Sequence, residues 1–405
     1  MTLLAEYEPI VGKSVLEELR LLASRLEGKS VQHINSTSVG GGVAEILNRM
    51  VPLLRELGIN TWWDVIKGGE KFFQVTKKIH NALHGSKEEI APEMWAEFQA
   101  TGERNSAELE CRGDIVFVHD PQPILLVDQK PRLRNKWIWR CHVDVSNTQL
   151  ETWEILRQQV VKYDAAVFSS PSFSKPLPIR QFLIAPSIDP LSEKNKELPE
   201  EIIQEVLTHY GIRSDKPMVT QISRFDFLKD PLGVIEAYKK AKKYVDCQLV
   251  LAGGTAADDP ESGEVLKRVM EKSEGDPDIH VLLVPQNDIH INALQRASTV
   301  IIQKSLREGF GLTVSEALWK GKPIVASAVG GIPLQVKHKY HGLLCNSIDG
   351  AALAIKQFLQ NPEYAEQMGK NGREHVRQNY LLIRHLREYL LLFLCLYRPE
   401  DVIHL

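Results

Sequence analysis

The sequence has few cysteines, and they suggest neither a disulfide framework nor a zinc site. Its five cysteines are odd in number, scattered through 405 residues and never in CxxC spacing. Scattered cysteines of this kind are typical of a reducing compartment. We therefore expect a cytoplasmic protein without structural disulfides.

The sequence also lacks an excess of charge of one sign. It contains 49 Lys and Arg against 52 Asp and Glu, which gives a net charge of −3. No segment concentrates basic residues between aromatic ones, which is the usual electrostatic signature of nucleic-acid binding. We expect no nucleic-acid partner.

Hydrophobic runs are short. The strongly apolar run Tyr389–Tyr397 has nine residues, whereas a membrane-spanning helix needs about 20. The start of the chain carries Glu6 and Glu8 where a secretory signal would be basic and then apolar. We expect no membrane span, and we interpret Tyr389–Tyr397 as part of a docking helix.

Short apolar runs alternate with helical patterns along the chain, which predicts an α/β protein with doubly wound parallel sheets. The first six strands are predicted at Val31–Asn35, Ile59–Val65, Ile115–His119, Lys136–Cys141, Ala165–Ser169 and Phe182–Ala185. Six more are predicted at Met218–Ile222, Cys247–Gly253, Ile279–Val284, Thr299–Gln303, Pro323–Ala326 and Gly342–Leu344. Helices between them include Val43–Leu57, Glu93–Gln99, Leu150–Val161, Leu232–Lys242, Gly263–Ser273 and Leu353–Leu359.

The alternation is interrupted by a polar, proline-rich segment at Pro186–Glu200, which is typical of a domain boundary. We therefore predict a first domain over residues 1–195 and a second over 196–380. The last segment, 381–405, is predicted to be a helix that packs back on the first domain.

Two carboxylates flank a glycine-bearing turn in the second half. The segment reads Glu308-Gly-Phe-Gly-Leu-Thr-Val-Ser-Glu316 and lies where a predicted strand gives way to a helix. The first N–H groups of that helix, at Gly311, Leu312 and Thr313, would bind a phosphate at the positive end of the helix dipole. Glu308 would then contact the group beyond the phosphate, and Glu316 would accept hydrogen bonds from a ribose. Alternatively, Thr313 to Glu316 forms a capping box, and Glu308 is a solvated loop residue.

Arg224 and Lys229 follow directly on a predicted strand of the second domain. Ligands bind at the carboxyl ends of the strands in such sheets. Two cations there would hold a diphosphate and stabilise charge that develops on it. Taken alone, an Arg and a Lys five residues apart are more often a surface pair.

Other candidates carry weaker signals. Gly40, Gly41 and Gly42 form a glycine turn after the first strand, but Glu45 stands where a dinucleotide fingerprint needs Gly or Ala, which argues against a nicotinamide dehydrogenase. His142 follows a strand, where a lone histidine is more often a packed or surface residue. Asn287 is placed to meet a nucleotide base, and turn chemistry explains it equally well.

Together, these segments and Gly330-Gly-Ile-Pro333 resemble the retaining glycosyltransferases of family 4, which have the GT-B fold of two Rossmann-like domains with the active site in the cleft between them. The resemblance implies Arg224 and Lys229 on the donor diphosphate. It implies Glu308 on the transferred sugar and Glu316 on the ribose. His142 resembles the histidine that faces the reacting sugar, and Gly40–Gly42 resembles the glycine turn beside donor and acceptor.

More closely, Ser223–Gly233 and Ser305–Trp319 resemble the trehalose-forming branch of that family. This implies transfer of glucose from a nucleoside diphosphate glucose, with ADP, UDP or GDP, to glucose. A phosphorylase on the same fold, a family 4 enzyme with another acceptor, and a non-catalytic sugar or nucleotide sensor remain open. The base and the oligomeric state also remain open, a homodimer included.

No metal site stands out in the sequence. Asp276 and Asp278 lie in a polar turn, and we interpret them as turn residues. We expect no required cofactor and at most a non-essential Mg²⁺, because Arg224, Lys229 and the helix dipole supply positive potential.

Overall fold

The computed structural model describes residues 3–38, 42–254, 260–284 and 287–398. These residues divide into two compact units. One contains the residues up to Ser187 and those from Leu382 onward, and the other is Ile188–Leu381. Each unit contains a six-stranded parallel sheet with helices packed on it. The predicted α/β class is confirmed.

The four inner strands of the first unit are almost entirely buried, as expected for parallel strands covered by helices, and the two edge strands are partly exposed. They are β1 (Ser30–Asn35), β2 (Asn60–Val65), β3 (Ile115–His119), β4 (Lys136–Cys141), β5 (Ala165–Phe168) and β6 (Arg180–Leu183). They lie in the order β2-β1-β3-β4-β5-β6, and all neighbouring pairs are parallel. All six predicted strands are present, and β6 begins two residues before the predicted Phe182.

The helices of this unit that precede its last strand include three that we did not predict, α1, α2 and α4. The full set is α1 (Glu8–Val11), α2 (Lys13–Ser24), α3 (Gly42–Glu56), α4 (Glu70–Leu83), α5 (Pro92–Glu108) and α6 (Leu150–Val160). Helix α5 continues past the predicted end at Gln99 and through Gly102. A Cβ at Gly102 would lie 2.4 Å from Cδ1 of Leu125, so this glycine permits close packing and does not stop the helix.

The second unit repeats the pattern. Its strands are β7 (Met218–Ile222), β8 (Gln248–Gly253), β9 (Ile279–Leu283), β10 (Val300–Gln303), β11 (Ile324–Ser327) and β12 (Leu343–Cys345), each within one residue of its prediction. They lie in the order β12-β11-β10-β7-β8-β9. Strands β7 and β10 are therefore neighbours at the centre of the sheet, and the loops that follow them leave from the same edge.

Helices pack on this second sheet in two hydrophobic clusters. They are α7 (Glu200–His209), α8 (Pro231–Lys242), α9 (Pro260–Ser273), α10 (Asp288–Ala297), α11 (Leu312–Trp319), α12 (Ile332–Gln335), α13 (Ile348–Gln360) and α14 (Pro362–Asn379). A single 3-10 turn, Phe227–Lys229, lies between β7 and α8.

The last helix, α15 (Leu382–Tyr397), belongs to the first unit. Its Tyr389 and Phe393 rings lie with their centroids 4.9 Å and 6.1 Å from that of Phe117 on β3. Arg387 donates to Glu18 of α2 at 2.8 Å, which ties the helix to the N-terminal part of the chain. Among the described residues, no helix is both long enough and apolar enough to cross a membrane.

We predict that Phe393→Ala destabilises the first unit. Phe393 is 0% exposed, and removal of a buried phenyl ring costs about 3–5 kcal/mol through lost transfer energy and the cavity left behind. Urea unfolding followed by circular dichroism measures the change. Leu21→Ala, on the exposed side of α2, is the matched control and should stay within about 0.5 kcal/mol of wild type. Equal shifts for the two variants would contradict the contribution of α15 to this core.

Candidate functional site

The loops after β7 and β10 meet at the carboxyl edge of the second sheet. The N–H of Leu306 donates to the carbonyl of Leu228 at 2.8 Å, so the two loops are joined through their backbones. In parallel sheets this edge is where ligands bind. The first loop carries Arg224 and Lys229, and the second carries Glu308.

Lys229 and Glu308 form a short ion pair at this edge. Nζ of Lys229 lies 2.6 Å from Oε2 of Glu308, and Oγ of Ser305 donates to the same oxygen at 3.2 Å. Glu308 is only 8% exposed. A carboxylate with so little exposure needs a cation and hydrogen bonds to offset the cost of its desolvation. The structure therefore brings together two residues that the sequence assigned to neighbouring parts of one ligand.

A glycine turn presses against the backbone of Glu308. Gly330 has φ +54°, and a Cβ there would lie 1.6 Å from the carbonyl oxygen of Glu308. The N–H of Gly331 donates to the carbonyl of Gly309 at 2.9 Å. Only glycine permits this approach, so the Gly-Gly pair fixes the position of the loop that carries Glu308.

Helix α11 begins where the sequence predicted it, but its cap differs from the capping-box alternative. Gly311, with φ +82°, is the N-cap residue, and no side chain caps the helix. Thr313 lies within the first turn and is not the cap, so the capping-box interpretation of Thr313 and Glu316 is wrong. The N–H groups of Leu312 and Thr313 belong to the first turn, which has no acceptors within the helix. This end of α11 can bind an anion.

Glu316 lies in the interior of the second unit. It is 3% exposed, and its Oε2 accepts a hydrogen bond from Nε2 of Gln295 at 3.0 Å. Nζ of Lys194 lies 4.0 Å from Oε1. Neither Gln295, within α10, nor Lys194, in the proline-rich segment, had any motif that could have identified it from the sequence.

Other predicted residues have local partners. The exposed guanidinium of Arg224 pairs with Asp226 at 3.4 Å, on the loop it shares with Lys229. Asn287 is the N-cap of α10, where its side chain accepts from the N–H of His290 at 3.1 Å, in agreement with the turn-chemistry alternative. Gly42 is the first residue of α3. Gly40 and Gly41 lie outside the described residues.

In the first unit, His142 ends a row of three imidazoles. Nδ1 of His33 lies 3.1 Å from Nε2 of His119, and Nδ1 of His119 lies 3.1 Å from Nε2 of His142. The N–H of His142 also donates to Oδ1 of Asp120 at 2.8 Å. The strand end that follows β4 is thus fixed by both the ring and the backbone of His142.

Burial keeps these imidazoles neutral. It lowers the pKa of His33 to about 3 and holds the pKa values of His119 and His142 well below their usual range. The charge of Arg140, which is fully buried, lowers the pKa of the last two further. Burial raises the pKa of Asp120 to about 6. The imidazoles at this edge are therefore uncharged hydrogen-bonding groups near neutral pH.

The described residues contain no group of three or more His, Cys, Asp or Glu side chains placed to hold a metal ion. Asp276 and Asp278, the pair with Asp-x-Asp spacing, both accept hydrogen bonds from Nζ of Lys242, at 2.8 Å and 2.7 Å. Asp278 also accepts from Lys216 at 2.7 Å. These carboxylates serve as partners for lysines.

The two doubly wound units and the comparisons with known proteins identify a glycosyltransferase of the GT-B fold. The family model of glycosyl transferases group 1 matches residues 203–375, and that of the trehalose synthase N-terminal domain matches residues 33–175. The chain belongs to the trehalose synthase family. The trehalose synthase of Rubrobacter xylanophilus is 44% identical over 401 residues, which cover 96% of each chain.

Two further comparisons place the chain more broadly. The trehalose phosphorylase of Grifola frondosa is 28% identical over 426 residues, which cover 92% of this chain and 58% of that protein. The solved structure of sucrose-phosphate synthase from Thermosynechococcus elongatus matches with a TM-score of 0.70 at 18% identity, over 92% of this chain and 100% of that one. The second match concerns the fold alone, and it agrees with the predicted GT-B class.

We predict that Gly330→Ala destabilises the second unit. The new Cβ would meet the carbonyl of Glu308, and alanine would have to adopt a left-handed backbone, so we expect a loss of roughly 1–3 kcal/mol. Guanidinium unfolding measures it. Gly254→Ala is the control, because a Cβ there meets no atom within 4 Å and the φ angle is not left-handed. A Gly330→Ala protein as stable as wild type would show that the loop can move away.

Proposed function

We propose that the protein transfers glucose from a nucleoside diphosphate glucose to free glucose with retention of configuration, which forms the α,α-1,1 linkage of trehalose. The assignment of a nucleoside diphosphate glucose as donor rests on the Lys229–Glu308 pair beside the start of α11. The product half is supported by the trehalose synthase relative that matches nearly the whole chain.

The residues of the second unit suit a nucleotide sugar from end to end. We assign the diphosphate to Lys229, Arg224 and the first turn of α11, since cations and unpaired N–H groups bind phosphate oxygens. Lys229 would then give up part of its interaction with Glu308. We assign the ribose to Glu316, a carboxylate that can accept from its hydroxyls.

Glu308 is suited to orient the sugar because only one of its oxygens is engaged. Oε2 accepts from Lys229 and Ser305, whereas Oε1 has no hydrogen-bond partner among the described residues. A sugar hydroxyl can therefore donate to Oε1. We propose that His142 provides a further hydrogen bond to the sugar through the ring nitrogen that faces away from His119.

In the proposed reaction the bond from C1 of glucose to the diphosphate oxygen breaks, and a bond from C1 to the acceptor oxygen forms on the same face. The acceptor proton passes to the departing diphosphate oxygen. Lys229, Arg224 and the dipole of α11 stabilise the negative charge that grows on the diphosphate. No carboxylate attacks the sugar in this scheme, and no metal ion is required.

Product identification tests the proposal. The protein is incubated with UDP-, ADP- or GDP-glucose and free glucose, with and without excess EDTA, and the product is identified by NMR. We expect trehalose with at least one donor in both conditions. A different disaccharide would refute the acceptor, and activity lost in EDTA but restored by Mg²⁺ would refute the metal-free scheme. Trehalose cleaved by phosphate without any nucleotide dependence would favour the phosphorylase.

We predict that Glu308→Gln lowers kcat by roughly 100-fold or more, the range for loss of one group that stabilises the transition state. Nucleoside diphosphate affinity should not fall, because Lys229 keeps its charge and loses the carboxylate that now neutralises it. Steady-state kinetics and calorimetric titration measure the two quantities. A near-normal kcat would refute the role of Glu308.

We predict the opposite pattern for Glu316→Gln. The side chain keeps its shape and can still accept from Gln295, but it loses the charge that strengthens hydrogen bonds to a ribose. A hydrogen bond to a charged group contributes about 1.5–3 kcal/mol, so the Kd for nucleoside diphosphate should rise about tenfold or more. Glu363→Gln, on the exposed start of α14, is the control. An unchanged Kd for Glu316→Gln would leave Glu316 with a packing role only.

A further inference from the structure

The three imidazoles of the first unit lie on one face of its sheet. His33 of β1 pairs in register with Phe117 of β3, and His119 is the next residue of β3 on that face. His119 in turn pairs in register with Arg140 of β4, and His142 is the next residue on the same face. The register of three adjacent strands thus places the rings in a row from the sheet interior to the strand end.

The hydrogen bonds along this row couple the protonation states of the rings. Each N···N contact of 3.1 Å needs one proton, and each neutral ring carries one N–H. Two arrangements satisfy both contacts. Either all three rings carry the proton on Nδ1, or all three carry it on Nε2. The tautomer of His142 is therefore tied to those of His119 and His33.

The inner end of the row distinguishes the two arrangements. Nε2 of His33 is buried and has no hydrogen-bond partner among the described residues. If all rings carry the proton on Nε2, this atom is a buried, orphaned N–H. Orphaned buried donors are rarer in proteins than under-satisfied acceptors. The arrangement with Nδ1–H on every ring is therefore favoured.

We propose that His119 and His33 are positioning residues that hold His142 in its Nδ1–H tautomer, so that His142 presents a fixed hydrogen-bond donor to a sugar hydroxyl. This inference rests on the proposed function, in which His142 contacts the sugar. His119 and His33 themselves make no contact with substrate. Their effect passes through the ring orientation and tautomer of His142.

The row is surrounded by Arg140 of the sheet and by Tyr389 and His385 of α15. Arg140 lies on the same face and is 0% exposed, so its charge opposes protonation of His119 and His142. From α15, Tyr389 stacks on His33 with ring centroids 6.5 Å apart. His385, also on α15, is fully buried and bonded through Nδ1 to Oγ of Ser187 at 2.9 Å. The three rings keep a single set of tautomers only if each of them remains neutral, because a ring that takes up a second proton becomes a donor at both nitrogens.

Nitrogen NMR of the full-length protein tests the inference directly. With ¹⁵N-labelled histidine, the shifts of Nδ1 and Nε2 report which nitrogen carries the proton, and spectra of His142→Gln identify the His142 signals. We expect Nδ1–H in wild type and a mixture of tautomers in His119→Phe, which leaves Nε2 of His142 without its donor. A proton on Nε2 in wild type, or an unchanged His142 tautomer in His119→Phe, would overturn the proposal.

Kinetics supply a second readout. His119→Phe should lower kcat on the order of 10–100-fold, as when a group that orients a functional histidine is lost, with little change in the KM for donor. His119→Asn should recover part of kcat, because its amide places an N–H near the position of Nδ1. The matched control is His385→Phe, which removes an equally buried histidine outside the row and should keep both the kcat and the tautomer of His142. An equal loss of kcat in His385→Phe would show that His119 affects kcat through packing and not through the tautomer of His142.

The two readouts separate this inference from the proposed function. If the protein forms no trehalose but the tautomer of His142 changes in His119→Phe, the proton order stands and the assigned reaction fails. If trehalose forms and the tautomer of His142 is unchanged in His119→Phe, the proposed reaction is supported and the positioning role of His119 is refuted.

Discussion

The ion pair between Lys229 and Glu308 is the interaction on which the candidate donor site depends. Each residue lies on a loop that leaves one of two neighbouring strands, β7 and β10, and the pair holds those loops together where they emerge from the sheet. A carboxylate that is 8% exposed is costly to bury unless a cation and hydrogen bonds surround it. In the proposed function the same cation binds the diphosphate, so the interaction that stabilises the loops would also prepare them for an anionic ligand.

The side chains between Glu308 and Glu316 anchor the loop that carries Glu308. Phe310 is buried, with its ring centroid 5.5 Å from that of Tyr380, and its carbonyl accepts from Nε2 of Gln335 at 2.5 Å. Oγ of Ser315 donates to Oε1 of the same Gln335 at 2.6 Å. The glycines on either side of Phe310 keep the chain free of side chains beside Glu308. The segment is therefore anchored at its centre and open at the start of α11.

The sequence predicted the strands well because each central strand is a buried apolar run, a pattern that needs no knowledge of tertiary partners. It predicted the helices less completely. Leu16 and Leu19 of α2 and Phe72 and Val75 of α4 recur at helical spacing, so the signal for both helices was present in the sequence. Gly102 looks like a helix stop in the sequence, and only the neighbouring Leu125 shows that it serves packing.

The sequence identified candidate site residues that lie in a recognisable motif. It did not identify residues that reach the site through tertiary packing. Glu308, Lys229 and the start of α11 at Gly311 lie on loops whose residue types point to their chemistry. The capping-box alternative for Glu316 failed because a cap depends on where the helix begins, which local sequence determines only to within a few residues. Gln295 reaches Glu316 from a different helix, and His33 reaches His119 from a different strand. Contacts of that kind follow from sheet order and register.

The two units differ in the charge of their candidate site residues, and under the proposed function this difference matches the chemistry of a nucleotide sugar. Positive charge stabilises a diphosphate, and the second unit contains Lys229, Arg224 and the positive end of the α11 dipole. A sugar is uncharged, and a cationic group close to it would attract phosphate instead. In the first unit the cation, Arg140, is 0% exposed and its guanidinium donates to the carbonyl of Phe168 and to Ser169. Its charge is therefore not available to a ligand. Burial is the main reason that the pKa values of His119 and His142 are low, and the charge of Arg140 lowers them further. A neutral imidazole at the strand end follows from both effects.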